Sequence, residues 1–241
     1  GDYRVGVAFS DFVGARKGQV TEVNSQLSGQ SLYALDADAD AYLVALADGR
    51  VYMVETEHLA RQSLTTIDVT RSVCELNFSQ TPACLVTDDA QLVRDTIYRG
   101  RTIQAADTLG AAQYMLDQAV AYSLDRKQFN RAIGSFQAVK HMCAEMASQL
   151  EPCRSFVWYA GHAFDEMDNE AALTACHAKA HLAEVGQFVA KTSTEVHGGM
   201  GFTDLVGLHY WFKRIGFNRQ LLGSPEQVRH EAALLQGLCD A

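Results

Sequence analysis

Near residue 88 the apolar residues change their spacing, and that change fixes what the chain can fold into. Before it, apolar residues come in short clusters rich in β-branched and aromatic types: residues 5–9, 41–45, 50–54 and 74–78. Gly, Asp and Ser separate the clusters, so the pattern predicts short strands joined by tight turns. Asp48-Gly49 between two of them predicts a hairpin. After it, apolar residues recur three and four apart. Ile133, Phe136, Val139, Cys143, Met146, Leu150, Cys153 and Val157 form one such stripe, the signature of a helix with one buried face. Helices are expected over about 89–127, 134–167, 170–197, 203–215 and 219–238. Asp168-Asn169 is a candidate turn and N-cap before the third, and Ala172, Cys176, Ala180 and Ala183 give that helix a small-residue face. Strands followed by helices imply separate layers, not alternating βαβ units. The expected class is α+β: an antiparallel β-barrel or sandwich domain over 1–87, then an up-and-down helical bundle over 88–241.

Charge narrows the partners. The net charge of −9 argues against nucleic acid, whose binders are basic, and against anionic lipid. No apolar run is long enough to span a membrane. None of the six cysteines falls in a CxxC pair, so buried free thiols in a reducing cytoplasm are expected.

Two segments carry more than periodicity. One reads Tyr122-Ser-Leu-Asp-Arg126-Lys-Gln-Phe129, continuing Ile133-Gly-Ser-Phe136-Gln-Ala-Val139-Lys. The other reads Val196-His197-Gly198-Gly199-Met-Gly201-Phe202-Thr203, followed by His209-Tyr210 and Lys213-Arg214. In order and separation they resemble the C-terminal domain of acyl-CoA dehydrogenases. The likeness extends over about 88–225 and faintly over 1–87, with no counterpart of the family's N-terminal helical domain. It implies FAD-dependent α,β-dehydrogenation of an acyl-CoA thioester, in which a carboxylate takes the α-proton and the flavin takes the β-hydride. It also implies a flavin shared between subunits. Matched residue by residue, Arg126 falls where the family meets the flavin diphosphate, a role suited to a guanidinium fork. Phe129 falls on the aromatic that packs against the cofactor. Gly198 and Gly199 fall where backbone approaches the dinucleotide, and Glu195 stands where the family usually has glutamine.

The departures are as informative as the matches. The family places its catalytic glutamate at one of two positions, and here these hold Leu222 and Gly100, the latter just before the matched Arg101. Neither side chain can take a proton. Glu226, one turn beyond Leu222, is the nearest substitute. In the β-domain the hydroxyl expected beside flavin N5 is replaced by Leu35, and Val7-Ala8-Phe9-Ser10-Asp11 stands in place of the family's glycine-rich segment. Other constellations read as structural: Cys176-His177 with His181 lacks further metal ligands, and Asp36, Asp38 and Asp40 lack the glycine and glutamate of a calcium loop. Trp158, Trp211 and Tyr210 read as core or interface aromatics, and the resemblance alone puts His209 near a subunit interface. No metal site is expected.

The combined expectation is a half-site. Arg126, Phe129, Gly198 and Gly199 would grip the diphosphate side of an FAD shared with a homologous partner subunit, which supplies the catalytic glutamate. That division resembles heteromeric acyl-CoA dehydrogenases acting on steroid side-chain CoA thioesters, built as heterotetramers. The alternatives are a complete homomeric enzyme with its base relocated to Glu226 or Glu195, and a flavin-free scaffold.

Overall fold

The computed structural model describes residues 3–14 and 19–239. Its contacts divide into two compact units, Gly1–Ile97 and Tyr98–Ala241.

The first unit is an eight-stranded sheet. Its strands are β1 (Val5–Ala8), β2 (Gln19–Val23), β3 (Gln26–Leu35), β4 (Ala41–Ala45), β5 (Val51–Glu55), β6 (Ala60–Leu64), β7 (Val73–Pro82) and β8 (Cys84–Thr87). The order across the sheet is β6-β7-β3-β1-β4-β5-β8, with β2 paired to β3. Pairing is antiparallel except between β1 and β4, which run parallel. The short helix α1 (Ser10–Val13) follows β1. The turn at Asp48-Gly49 joins β4 to β5 as expected. Asp48 Oδ1 accepts from the Arg50 amide at 3.1 Å, and Gly49 has φ 92° with the Ala90 Cβ 2.4 Å from where a Cβ would stand. Alternation along the strands buries Leu27, Ala34, Tyr42, Val44, Val54, Cys74 and Leu76 in one core, as a half-buried pleated sheet requires.

The second unit is helical. Helix α2 (Ala90–Asp125) begins in the first unit and continues into the second. It is followed by α3 (Gln137–Glu166), α4 (Asp168–His197), α5 (Leu208–Gln220) and α6 (Pro225–Leu235), with a small hairpin of β9 (Lys127–Gln128) and β10 (Arg131–Ala132) between α2 and α3. The expected stripe of α3 is the buried one: Met146, Leu150 and Cys153 are inaccessible, and Val139, Cys143 and Val157 pack beside them. Helix α4 packs against α3, α5 and α6. Its buried small residues, among them Ala175, Cys176, Ala178, Ala180 and Ala183, let those neighbours come close.

Four helix starts differ from the sequence reading. Ile133–Ser135 forms a turn of 3-10 helix, so α3 starts at Gln137. Gly207, at φ 67°, precedes α5 and delays it to Leu208. Leu222 (φ 59°) and Gly223 (φ 107°) break the chain before α6, whose start is fixed by Ser224 and Gln227 in a reciprocal capping box with Pro225 in the first turn. Before α4, Met167 (φ −143°, ψ 61°) occupies the cap position expected at Asp168-Asn169, and α4 begins at Asp168.

Leu182 lies at the centre of the helical core with no exposed surface. Leu182→Ala should destabilise the helical unit by about 2–5 kcal/mol, the range for a buried leucine whose cavity only partly collapses. Urea unfolding followed by far-ultraviolet circular dichroism measures it.

Candidate functional site

The site is assembled at the ends of two long helices. At the end of α4, His197 is buried at 3% exposure and its Nδ1 lies 2.7 Å from the Ser193 carbonyl oxygen, to which it donates. The imidazole stacks on Tyr122 in the last turn of α2, with centroids 4.6 Å apart and planes 27° apart. One turn earlier on α4, Ser193 Oγ donates to the Met115 carbonyl of α2 at 2.7 Å. These contacts fasten the two helix ends side by side. They bring together the two segments that the sequence singles out, one continuing from Tyr122 and the other from His197.

After Tyr122 the chain runs into the β9–β10 hairpin. Arg126 closes α2 through its amide to the Tyr122 carbonyl (2.9 Å), and its own carbonyl accepts from Ile133 (2.8 Å). Its guanidinium is exposed and ion-pairs with no described residue. Phe129 and Asn130 form the two-residue turn with φ 51° and 62°. Two positive φ values match the twist of a tight hairpin, but they suit Asn or Gly, not Phe. Phe129 is also 88% exposed. An aromatic that is both strained and exposed gains little for stability, so its value lies in what it presents to the outside. Behind it, Phe136 meets it edge-on at 6.1 Å, and the Arg131 guanidinium lies 3.8 Å over the Phe136 ring. Gly134 allows this turn to close on α2: a Cβ there would stand 2.9 Å from the Ser123 carbonyl.

After His197 the chain leaves α4 through Gly198, at φ 57° and ψ −138°, whose amide donates to the Glu195 carbonyl. A Cβ at Gly198 or Gly199 would meet nothing within 4 Å, whereas one at Gly201 would stand 2.8 Å from the Thr194 carbonyl. Gly201 is therefore glycine for packing. Gly198 and Gly199 face open space, the arrangement by which a backbone can lie against a ligand. The carboxylate of Glu195 is exposed and pairs with no described residue. An exposed guanidinium, an exposed aromatic and an open diglycine at neighbouring helix ends are groups that fit a dinucleotide: charge for phosphate, an apolar face for a ring, and bare backbone for close approach.

A second cluster surrounds Leu222 and Gly100. Arg101, on α2, is 3% exposed. Its Nε donates to the Leu222 carbonyl at 2.9 Å, and its Nη1 reaches Glu231 Oε2 at 2.7 Å and Cys176 Sγ at 3.3 Å. Tyr98 donates to the other Glu231 oxygen at 2.7 Å. Burial, and then this bond to a carboxylate, hold the Tyr98 hydroxyl well above its ordinary pKa. Glu226 points away into solvent and pairs with Arg219 at 3.0 Å. Hydrogen bonds from its own backbone amide and from Ser224, then the charge of Arg219, lower its pKa. That makes it a weaker base.

In the sheet unit, Leu35 ends β3, paired with Val7 and Val73. Asp11 accepts from the Val20 amide at 2.9 Å, and burial raises its pKa. The Asp36–Asp40 turn is stapled by Arg4, whose amide donates to Asp40 (2.7 Å) and whose guanidinium reaches the Asp38 carbonyl and Asp36. Among the described residues no group of three His, Cys, Asp or Glu is placed to hold a metal, and no helix is long and apolar enough to cross a membrane. His181 stacks on Phe156 at 5.1 Å. His209 lies on Tyr210 at 4.1 Å, with Nε2 3.4 Å from Asp204.

The sequence reading missed Glu231 and Tyr98, which complete the Arg101 cluster. Nothing local marks them, because their roles depend on α2 and α6 lying together. The partnership of Tyr122 with His197 was also missed, although both residues stand inside the recognised segments.

Two outcomes follow from this geometry. Phe129→Asn should raise stability by about 0.5–1 kcal/mol in chemical denaturation, since asparagine tolerates the left-handed backbone that phenylalanine resists. Burial pushes the thiols of Cys153 and Cys176 up to about 11. At pH 8 a maleimide should therefore label exposed Cys84 and Cys239 in the folded protein and reach Cys153 and Cys176 only after unfolding, as peptide mass spectrometry would read.

Comparison with known proteins places this architecture. Residues 90–233 match the family model described as acyl-CoA dehydrogenase, C-terminal domain. The chain is 32% identical over 199 residues to acyl-CoA dehydrogenase IpdE2 of Mycolicibacterium smegmatis, covering 82% of this chain and 59% of that protein. It is 29% identical over 222 residues to acyl-CoA dehydrogenase FadE34 of Mycobacterium tuberculosis, covering 90% of this chain and 31% of that one. The chain thus spans less than two thirds of the curated relatives it matches. A solved structure of a Tcur3481-Tcur3483 steroid ACAD variant superposes with a TM-score of 0.87 at 25% identity, covering 99% of this chain and 68% of its own. The family model spans more than half of the chain, and this chain belongs to the acyl-CoA dehydrogenases.

Proposed function

We propose that this chain serves as a subunit of a flavin-dependent acyl-CoA dehydrogenase, gripping the diphosphate side of an FAD shared with a partner and lacking the catalytic base. The observation that carries this reading is the fastening of Tyr122 to His197. It sets the unpaired guanidinium of Arg126 and the exposed ring of Phe129 at the same end of the bundle as the open backbone of Gly198 and Gly199. When bound, the flavin would supply a hydride acceptor for the acyl β-carbon. This chain's part is to hold the cofactor. Arg126 would offset the phosphate charge, Phe129 would cover an apolar face of the cofactor, and the diglycine would let main chain lie against it. Glu195 is set against the phosphates by its sign, and its exposure allows the carboxylate to turn into solvent.

The absent base supports the division of labour. Leu222 and Gly100 cannot accept the α-proton, and Glu226 is committed to Arg219. On this reading the proton goes to a homologous partner subunit that carries the glutamate. The substrate class we assign is an acyl-CoA thioester with a bulky, steroid-type acyl group, on the likeness to the steroid ACAD structure.

The test is flavin stoichiometry and native mass of the full-length protein purified with its partner and, separately, alone. One FAD per pair of unlike subunits is expected, with little in the chain alone. One FAD per copy of the chain alone would overturn the half-site. Within the complex, Arg126→Ala should weaken FAD retention about ten-fold or more, the scale of a lost charge-assisted phosphate contact. Full flavin content in that variant would remove Arg126 from the site.

A further inference from the structure

The two positions at which the base is missing meet each other. A Cβ built on Gly100 would stand 2.7 Å from Leu222 Cδ1, and no other atom outside its own stretch of helix comes within 4 Å. The space beside α2 at position 100 is therefore taken by one side chain. That side chain is not placed by its own preferences. Leu222 has φ 59°, a left-handed backbone that a leucine adopts only under constraint. The constraint is visible: Arg101, the residue next to Gly100, donates Nε to the Leu222 carbonyl. The guanidinium is in turn held by Glu231 and Cys176, and Glu231 by Tyr98. With its side chain only 4% exposed, Arg101 has no freedom to swing away from the carbonyl it holds.

We propose that Leu222 is an exclusion residue: held over Gly100 by the bond from Arg101 to its carbonyl, its side chain fills the place that any side chain at position 100 would need. An apolar group from the break before α6 thus closes this chain's own base position on α2. Arg101 acts as a positioning residue, through the backbone of Leu222. Glu231 and Tyr98 act one step further back by fixing Arg101. The functional meaning rests on reading Leu222 and Gly100 as the vacant base positions, but the geometric claim is tested without flavin or partner.

Gly100 lies inside α2, where alanine in place of glycine ordinarily raises helix stability. The contact with Leu222 opposes that gain. Thermal melting of the full-length protein is measured for Gly100→Ala, Leu222→Ala and the double variant. The expected result is coupling: Gly100→Ala lowers or barely changes Tm in the parent and raises it in the Leu222→Ala background. The two effects should differ by about 2 °C or more. Equal shifts in both backgrounds would overturn the proposal, because Leu222 would then not occupy that space.

The positioning role needs a readout that a general loss of stability cannot imitate. If Arg101 sets the leucine, Glu231→Gln, which weakens its hold on the guanidinium, should shrink the coupling between positions 100 and 222 as well as lower Tm. An unchanged coupling at lower Tm would make the cluster merely structural and sink the positioning claim. Should Glu231→Gln fail to fold, Tyr98→Phe removes a single bond to Glu231 and is read the same way. Flavin stoichiometry is independent of all these melts, so failure of the half-site and failure of the exclusion residue are told apart.

Discussion

The buried imidazole of His197 is the contact on which the candidate site depends. It is committed twice: Nδ1 to a carbonyl one turn back on its own helix, and its ring face to Tyr122 on α2. A helix end normally frays because its last carbonyls lack partners. Here the end of α4 is held by a side chain that is itself stacked on a neighbour, so the chain leaves the helix in a defined direction. Gly198 then turns with a backbone that alanine would resist, and Gly199 follows into open space. The same stack fixes the end of α2 and hence the start of the hairpin that carries Arg126 and Phe129. One aromatic contact thus sets the position of groups from two distant parts of the sequence.

The bundle around that contact buries many small residues along α4. Helix α4 packs against α3, α5 and α6 and is fastened to α2, and its buried alanines and Cys176 make such close packing feasible. One group of buried polar side chains in the bundle is engaged together. Asn218 donates to Asp107 and Thr108, and Arg214 forms a forked pair with the same Asp107. Such groups are costly to bury singly and tolerable when satisfied together. The Arg101 cluster follows the same rule, with the difference that one of its bonds falls on the backbone of Leu222, in a conformation leucine does not choose.

Among the described residues of the helical unit, two bulky apolar side chains, Phe129 and Leu222, stand against local backbone preference. Both are non-glycine residues in left-handed backbone, one at the tip of a hairpin and the other at the break before α6. Violations of local preference gather where a fold serves something other than its own stability. At Phe129 the ring is turned outward, which suits a cofactor or partner. At Leu222 the aliphatic side chain is turned onto Gly100, which suits closure. On the proposed reading, the chain presents one end of the bundle as open and keeps the vacant base position shut.

The sequence by itself determined the order of sheet and bundle, the buried stripe of α3 and the residue types of the open end. These depend on periodicity and on short segments that carry their meaning locally. Helix starts were less legible where a 3-10 turn or a left-handed residue intervened. The capping box Ser224-Pro225-Glu226-Gln227 was a local signal that could have placed the start of α6. The tertiary structure alone decided which residues met. The stacking of Tyr122 on His197, the reach of Arg101 to the Leu222 carbonyl and the filling of Gly100 by Leu222 join residues far apart in the chain. Nothing in the local spacing of either partner encodes such contacts, because they exist only once the helices have packed and their side chains compete for the same space.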